Sequence, residues 1–353
     1  MAEIKEYKCP SCGGAMEFDS ASQKMKCPYC DTVISIDEYE KMMSQNSSET
    51  AEDTTGWTEE ERNGMVVYTC ESCGGEITAD QNTGATICPF CGNRVLIKGQ
   101  FDDSLKPDCI IPFKLDKKAA KEAYHKHINS KSFVPSVFKD ENHIDEIVGV
   151  YVPFWIYDMT GQGNNSYNAE MTRIWISGDR EFTEHNFYLV ERSGEAEFQH
   201  IPEDGSRKMA DDLMESLEPY DFSETVPFKA AYLAGYVADR YDVEAKECRE
   251  RAEIRVKNSI KAALRDTVSG YDIVTPGHEN TDIANVRYKY ALYPVWILNT
   301  TWQDKKYVFA MNGQSGKMVG DLPLDKKAFW KYIFTRGIPI AIIAYVILMF
   351  LHY

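Results

Sequence analysis

The chain has 353 residues, enough for about two ordinary domains. Hydrophobic residues make up 43% and charged residues 27%, a globular composition. Acidic residues outnumber basic ones 55 to 39, for a formal charge of −16. That balance argues against non-specific duplex binding, which needs Lys and Arg to neutralise phosphates. The start, MAEIKEYKCP, is charged and lacks the apolar stretch of a secretory signal. The ten cysteines are therefore expected in a reducing compartment rather than in a disulfide scaffold.

Eight of the cysteines form four C-x-x-C pairs: Cys9/Cys12 with Cys27/Cys30, then Cys70/Cys73 with Cys88/Cys91. A shift of 61 residues superposes the first set on the second without a gap. It also pairs Tyr7 with Tyr68, Gly13-Gly14 with Gly74-Gly75, Pro28 with Pro89, Tyr29 with Phe90 and Ile36 with Ile97. This is an internal repeat. A C-x-x-C turn points two thiolates at one ion, and two such turns complete a tetrahedral four-sulfur shell. Each unit is too small for a core of its own, so metal ligation is expected to supply much of its folding energy. Structural Zn2+, one ion per unit, is the expected cofactor, with a rubredoxin-like mono-iron site as the chemical alternative.

Both units, residues 5–36 and 65–98, resemble the zinc ribbons of transcription factor IIB and RNA polymerase subunits. That resemblance implies a fold and a metal, not a partner. Residues 1–36 set Lys5, Lys8, Lys24 and Lys26 against Glu3, Glu6, Glu17, Asp19 and Asp31. The second ribbon has Arg94 and Lys98 against Glu71, Glu76 and Asp80. Neither carries a basic stripe interleaved with aromatics, so protein contact is expected over nucleic acid, with plain structural spacing as the alternative. Cys109 and Cys248 lack partners at ligand spacing and read as small buried hydrophobes.

Residues 37–64 read as an acidic flexible linker, nine acids against Lys41 and Arg62, after a short helix from Ile36 to Met43. The body, 101–324, reads as mixed α+β. Asp116 is placed to cap a helix running to Asn129. A longer helix begins near Asp242, where Ala245, Cys248, Ala252, Val256, Ile260 and Leu264 form one apolar face. VGVYVPFWIY (148–157) and YALYPVWILNT (290–300) read as aromatic strands whose prolines point to an edge or a bulge. Their aromatics read as core in preference to a ligand cage. Each lies downstream of a Pro-Phe-Lys motif, Pro112-Phe113-Lys114 and Pro227-Phe228-Lys229, which suggests two diverged α+β halves. Tyr167–Ile176 and Glu184–Ile201 read as a hairpin turning at Arg192-Ser193-Gly194-Glu195, and Tyr307–Met311 with Lys317–Val319 as another around Asn312-Gly313.

The end changes character. A basic, aromatic segment, 325–336, leads into an uncharged 337–353, GIPIAIIAYVILMFLHY. Seventeen residues span about 25 Å, the low edge of a bilayer crossing. With Lys326, Lys327, Lys331 and Arg336 before it, this reads as one C-terminal transmembrane helix with the N-terminal body in the cytoplasm. A buried terminal helix is the alternative.

No Walker A loop, G-x-S-x-G elbow or H-E-x-x-H is present. His125 and His127, two apart, share no helical face and read as solvated. Asp102-Asp103 and Asp211-Asp212 read as surface or capping residues. No catalytic residue and no small-molecule substrate is identified, so the protein is expected not to be an enzyme.

Taken with IIPFKLDKKAAKEAYHKH, GVYVPFWIYD, LEPYDFS, YLAGYVADRYDV and NGQSGKMVGDLP, the paired knuckles resemble a family of bacterial membrane-associated double zinc-ribbon proteins over nearly the whole chain. Some relatives accompany phage-shock protein A-like membrane-stress proteins. The resemblance implies a membrane-anchored adaptor that recruits cytosolic proteins, including phage-shock protein A-like partners, in a stress response. The competing expectation is a membrane-tethered nucleic-acid-binding protein of transcription or replication. An enzyme using an aromatic cleft in the body is a third.

Overall fold

In a computed structural model, residues 7–44, 57, 61–62, 64–80, 88–92, 96–100 and 105–351 are described. Most of the expected linker, together with Asp102-Asp103 and Arg94, lies outside them. The first ribbon comprises β1 (Glu17–Asp19), β2 (Lys24–Lys26) and β3 (Val33–Ile34), an antiparallel sheet followed by α1 (Ile36–Ser44). The second comprises β4 (Met65–Cys70), β5 (Glu76–Asp80) and β6 (Leu96–Gln100). The body begins with β7 (Cys109–Ile110), α2 (Lys117–Asn129) and the short α3 (Glu141–Ile144). Two long strands follow, β8 (Val148–Ser177) and β9 (Arg180–Asp204), then α4 (Asp211–Leu217), β10 (Val226–Pro227) and β11 (Val237–Asp239). The chain ends through α5 (Ala245–Asp266), β12 (Ile273–Trp302), β13 (Lys305–Asn312), β14 (Met318–Val319), α6 (Lys326–Tyr332) and α7 (Ile338–Leu351).

One sheet joins the body to the second ribbon, in the order β10-β7-β12-β8-β11-β5-β4-β6, with β9 on β8 and β13 on β12. At its centre β8 and β12 run antiparallel, and both of their faces are buried, so Val148–Tyr157 and Tyr290–Thr300 carry nearly unbroken apolar runs. α2 and α5 pack on one face, where Tyr124 and the stripe Ala245, Cys248, Ala252, Val256, Ile260 and Leu264 are buried. Asp116 caps α2, its carboxylate accepting from Ala119 N at 2.8 Å.

The two halves repeat the same hydrogen bonds about a local two-fold axis. Tyr151 pairs with Pro294 and Pro153 with Leu292. The indole of Trp296 donates to Leu115 O at 3.0 Å, and that of Trp155 to Val243 O at 2.8 Å. Gly313 N donates to Pro294 O, and Gly205 N to Pro153 O, both at 2.8 Å. Lys114 and Leu115 donate to Gly313 O as Asp242 and Val243 donate to Gly205 O. The segment matching Pro112-Phe113-Lys114 is therefore Arg240-Tyr241-Asp242, not Pro227-Phe228-Lys229. Replacing Trp155 or Trp296 by Phe leaves one of these carbonyls without its donor. Each substitution is expected to cost about 1–2 kcal/mol in chemical denaturation, the loss being equal on the two sides within error.

Three sequence expectations are corrected. Pro153 and Pro294 lie in central strands rather than at an edge. Each carbonyl accepts from the glycine at which β9 or β13 leaves the ladder, and that glycine's own carbonyl is taken by Asp242 and Val243 or by Lys114 and Leu115, so the ladder asks no N–H of the proline. The β8–β9 hairpin turns at Gly178-Asp179, and Arg192–Glu195 pairs mid-strand with Gln162–Asn165. The terminal helix is the third. α7 has 14 residues, about 21 Å of rise against about 30 Å of hydrocarbon. Among the described residues no helix is long and apolar enough to cross a membrane. The single-pass placement with a cytoplasmic body, which rested on that helix, loses its support.

Candidate metal centres

Each ribbon folds so that two tight turns face each other. In the first, Cys9 N donates to Gly14 O at 2.7 Å and Gly13 N to Cys9 O at 2.8 Å. The second ribbon repeats this with Cys70, Gly75 and Gly74, each bond at 2.8 Å. The turns need a left-handed residue after the second cysteine: Gly13, Gly74 and Gly92 supply it, with Asp31 in the remaining turn. The next glycine has a different cause. A Cβ on Gly14 would lie 2.6 Å from the Tyr29 ring, and one on Gly75 2.6 Å from Phe90. The aromatic of one turn thus closes on the backbone of the other, which explains why both are duplicated.

The eight thiols converge in two clusters, Cys9, Cys12, Cys27 and Cys30, and Cys70, Cys73, Cys88 and Cys91, with ligand atoms within 4.8 Å of one another. Sγ separations are 3.5 Å for Cys9–Cys30 and for Cys12–Cys27, 3.6 Å for Cys70–Cys91 and 3.7 Å for Cys73–Cys88. Tetrahedral ligation at about 2.3 Å places sulfurs about 3.8 Å apart, whereas a disulfide needs about 2.05 Å. The residues present fit a tetrahedral cation, and all four positions are filled by protein. Burial pushes the Cys70 thiol up, but backbone amides of Cys73 and Ser72 outweigh it and bring it down to about 7. Burial likewise opposes the amides of Ser11 and Cys12 at Cys9, which settles at about 6. One thiol in each ribbon is thus drawn towards thiolate, the form that binds metal, while burial raises Cys73 and Cys88, and at Cys12 the Gly14 amide is outweighed by the neighbouring Cys30 and Cys27, which raise it.

Both ribbons are anchored on the body. In the first, Phe18 packs edge-on to Tyr232, with ring centroids 5.1 Å apart. Phe18 N donates to Ala234 O at 3.0 Å, and Lys229 bridges Asp37 and Glu40 of α1. In the second, Ile77, Thr78 and Ala79 of β5 pair with β11, and Arg240 meets Glu76 at 2.8 Å. Two points of the linker are also held: Trp57 lies edge-on to Phe228, and Glu61 pairs with Lys106 at 2.8 Å.

This architecture has a relative along almost its whole length. The chain is 32% identical over 329 residues to YdjG of Bacillus subtilis (strain 168), described as an uncharacterized protein, covering 93% of each. The chain belongs to the YdjG family. A 35-residue stretch, 10% of this chain, is 46% identical to the DNA-directed RNA polymerase subunit Rpo12 of Thermococcus onnurineus (strain NA1), covering 71% of that protein. No family model and no solved structure matches.

Sequence reasoning did not single out a cavity of about 250 Å³ where the Cys88–Cys91 turn meets β12. Asn299 Nδ2 donates to Pro89 O at 2.5 Å, seating the turn. Beside it, His143 Nε2 lies 2.6 Å from Thr300 Oγ1 and Nδ1 lies 3.1 Å from Glu146. The order resembles a nucleophile, base and acid, but Thr300 is 1% exposed, so the line pins α3 to β12. His127 is likewise tied down rather than solvated, with Nε2 2.9 Å from Gly320 O. Asp211 pairs with Arg251. Cys248 is buried and Cys109 half-buried, and burial pushes both thiols up to about 11.

Proposed function

We propose that each four-cysteine cluster binds one structural Zn2+ and that the protein is a non-enzymatic scaffold for protein–protein contact. The observation that carries this reading is the closed four-thiol geometry, on ribbons built into the body. Bound zinc would cross-link each ribbon and leave no open position for a substrate or an activated water. The acidic balance and the exposed apolar side chains of the β8–β9 hairpin suit protein partners. The resemblance to double zinc-ribbon proteins directs attention to phage-shock protein A-like partners in a stress response.

Metal analysis of the purified chain is expected to return two zinc ions per chain. Iron in their place, with a thiolate-to-iron absorption band, would replace zinc with the mono-iron alternative. A pull-down with the full chain, with and without nuclease, tests the scaffold. Nuclease-resistant enrichment of a few proteins is expected. The second reading, nucleic-acid binding through a ribbon, draws on the similarity to the polymerase subunit. Enrichment abolished by nuclease, together with steeply salt-dependent RNA or DNA binding, would establish it instead.

A further inference from the structure

We propose that β9 is a dimerisation edge, pairing antiparallel with β9 of a second copy of this chain about a two-fold axis at Tyr188. This goes beyond the metal and scaffold readings and depends on neither. Among the described residues β9 pairs with β8 alone as a strand; Arg255 and Arg251 of α5 take the carbonyls of Pro202 and Asp204, and Arg192 that of Glu191, while from Arg180 to Val190 the outer edge faces no other strand. At mid-strand Phe187 is 76% exposed, Leu189 67% and Tyr188 43%. Arg180, Glu181, Glu184, Glu195 and Glu197 put charge on much of the rest of the strand, the usual protection of an open edge. The sequence from 184 to 192, EHNFYLVER, breaks that protection at its centre.

The occupant follows from self-complementarity. With Tyr188 opposite Tyr188, Phe187 faces Leu189 of the second copy, His185 faces Glu191, and Glu184 faces Arg192, each pair occurring twice. Alternation along the strand puts Phe187 and Leu189 on one face, so the two copies form a four-residue apolar cluster flanked by the His185–Glu191 pairs, in which His185, held through Nδ1 by Glu170 of its own chain, has its other ring nitrogen to offer. Glu184 and Arg192 lie on the other face, where Arg192 is already held by Thr267 at 3.1 Å. Two pairs beyond Glu184, Phe182 faces Gly194. The next pair sets Glu181 against Glu195, and this like-charge contact ends the ladder. The contact is isologous and closes on itself, so it yields a dimer rather than a fibre. A one-residue shift of register opposes Glu184 to Glu191 in one direction and His185 to Arg192 in the other, and either loses both favourable pairs.

Sedimentation velocity of the full chain across micromolar concentrations is expected to show a species of twice the 40.3 kDa chain mass. The double variant F187K/L189K replaces exposed side chains only. It is expected to keep the wild-type circular dichroism and to weaken self-association by about tenfold or more. Glu184→Arg opposes two arginines and is expected to weaken the dimer, and the swap E184R/R192E to restore it. A monomeric wild type would overturn the proposal. So would an oligomer that persists in F187K/L189K, held through the exposed apolar side chains of α7. Failure of the swap to rescue Glu184→Arg would overturn it as well.

Discussion

Replacing Cys70 and Cys73 by Ser is expected to remove one metal ion per chain and to loosen the body well beyond the ribbon. The reason is topological. β5 is hydrogen-bonded between β4 and β11, and β11 in turn lies on the central strand β8. Ile77 and Ala79 are buried with Val150, Val152 and Val237 in one cluster. Apart from what it buries against the body, a ribbon of this size has little apolar surface, so a bound zinc ion would supply much of its folding free energy, on the order of 10 kcal/mol for structural zinc in small domains. Once the ligands are lost, β4 to β6 are expected to leave the sheet and β11 to become an open edge. Hydrogen exchange is expected to accelerate through Val237–Asp239 and into Val150–Tyr151. The matched pair Cys9→Ser and Cys12→Ser also loses one ion, but the first ribbon sits on a face of the body in a separate sheet, so the ladder is spared. If β11 stays as protected in the Cys70/Cys73 variant as in the wild type, the second ribbon is an appendage and not a part of the sheet's stability.

The second large effect lies at Asp239. Asp239 is 2% exposed, and neither carboxylate oxygen is in a well-formed hydrogen bond, the Ser206 hydroxyl and the Arg240 amide giving it only partial support. Burial pushes it up to about 7, against the Ser206 hydroxyl and the nearby cation Lys208, which is itself paired with Asp242 at 2.9 Å. The two-fold relation sets Ile111 at the matching place in the other half, where it is fully buried. In the unfolded chain the Asp239 carboxyl loses its proton near pH 4, while the native state keeps it to about pH 7. Between those values the native state binds more protons, so stability falls as pH rises. The contribution is complete below about pH 4 and gone above about pH 7. A rise of that size corresponds to roughly 4 kcal/mol as an upper bound. Asp239→Asn keeps the shape and removes the charge. Its advantage over the wild type is expected to be nil at pH 4, to grow towards pH 7 and to level off above, reaching about 2–4 kcal/mol. Urea unfolding at a series of pH values measures it, and a difference independent of pH would exclude a buried proton at this site.

Much of the metal chemistry was legible in the residues. The spacing of the eight cysteines, the paired glycines and the aromatic in each second turn all act within one ribbon. The cap at Asp116 and the stripe on α5 were legible for the same reason, since each depends on neighbours three or four positions away. The glycines of the long strands misled. Gly161 and Gly163 admit α5, where a Cβ at either would run into the Ile260 side chain, and Gly194 lies beneath Leu264. In sequence such a glycine looks like a turn, as it did at Arg192–Glu195. The terminal segment misled through composition, because an uncharged apolar run does not fix the length of the helix it forms, and α7 spans 14 residues among those described.

What the sequence by itself determined about this protein is its local chemistry: two sets of four thiolates, their turns, and the helices that face the body. A C-x-x-C knuckle, a cap or an apolar stripe is set by a few covalently linked residues, so its cause is visible in one dimension. Only the tertiary structure decided that the second ribbon is three strands of the main sheet, that the prolines sit at its centre, and that Arg240-Tyr241-Asp242 mirrors Pro112-Phe113-Lys114. Each of these joins residues far apart in the chain through backbone hydrogen bonds and close packing. Such partnerships are chosen by the energy of the whole sheet, and no short stretch of the chain carries them alone.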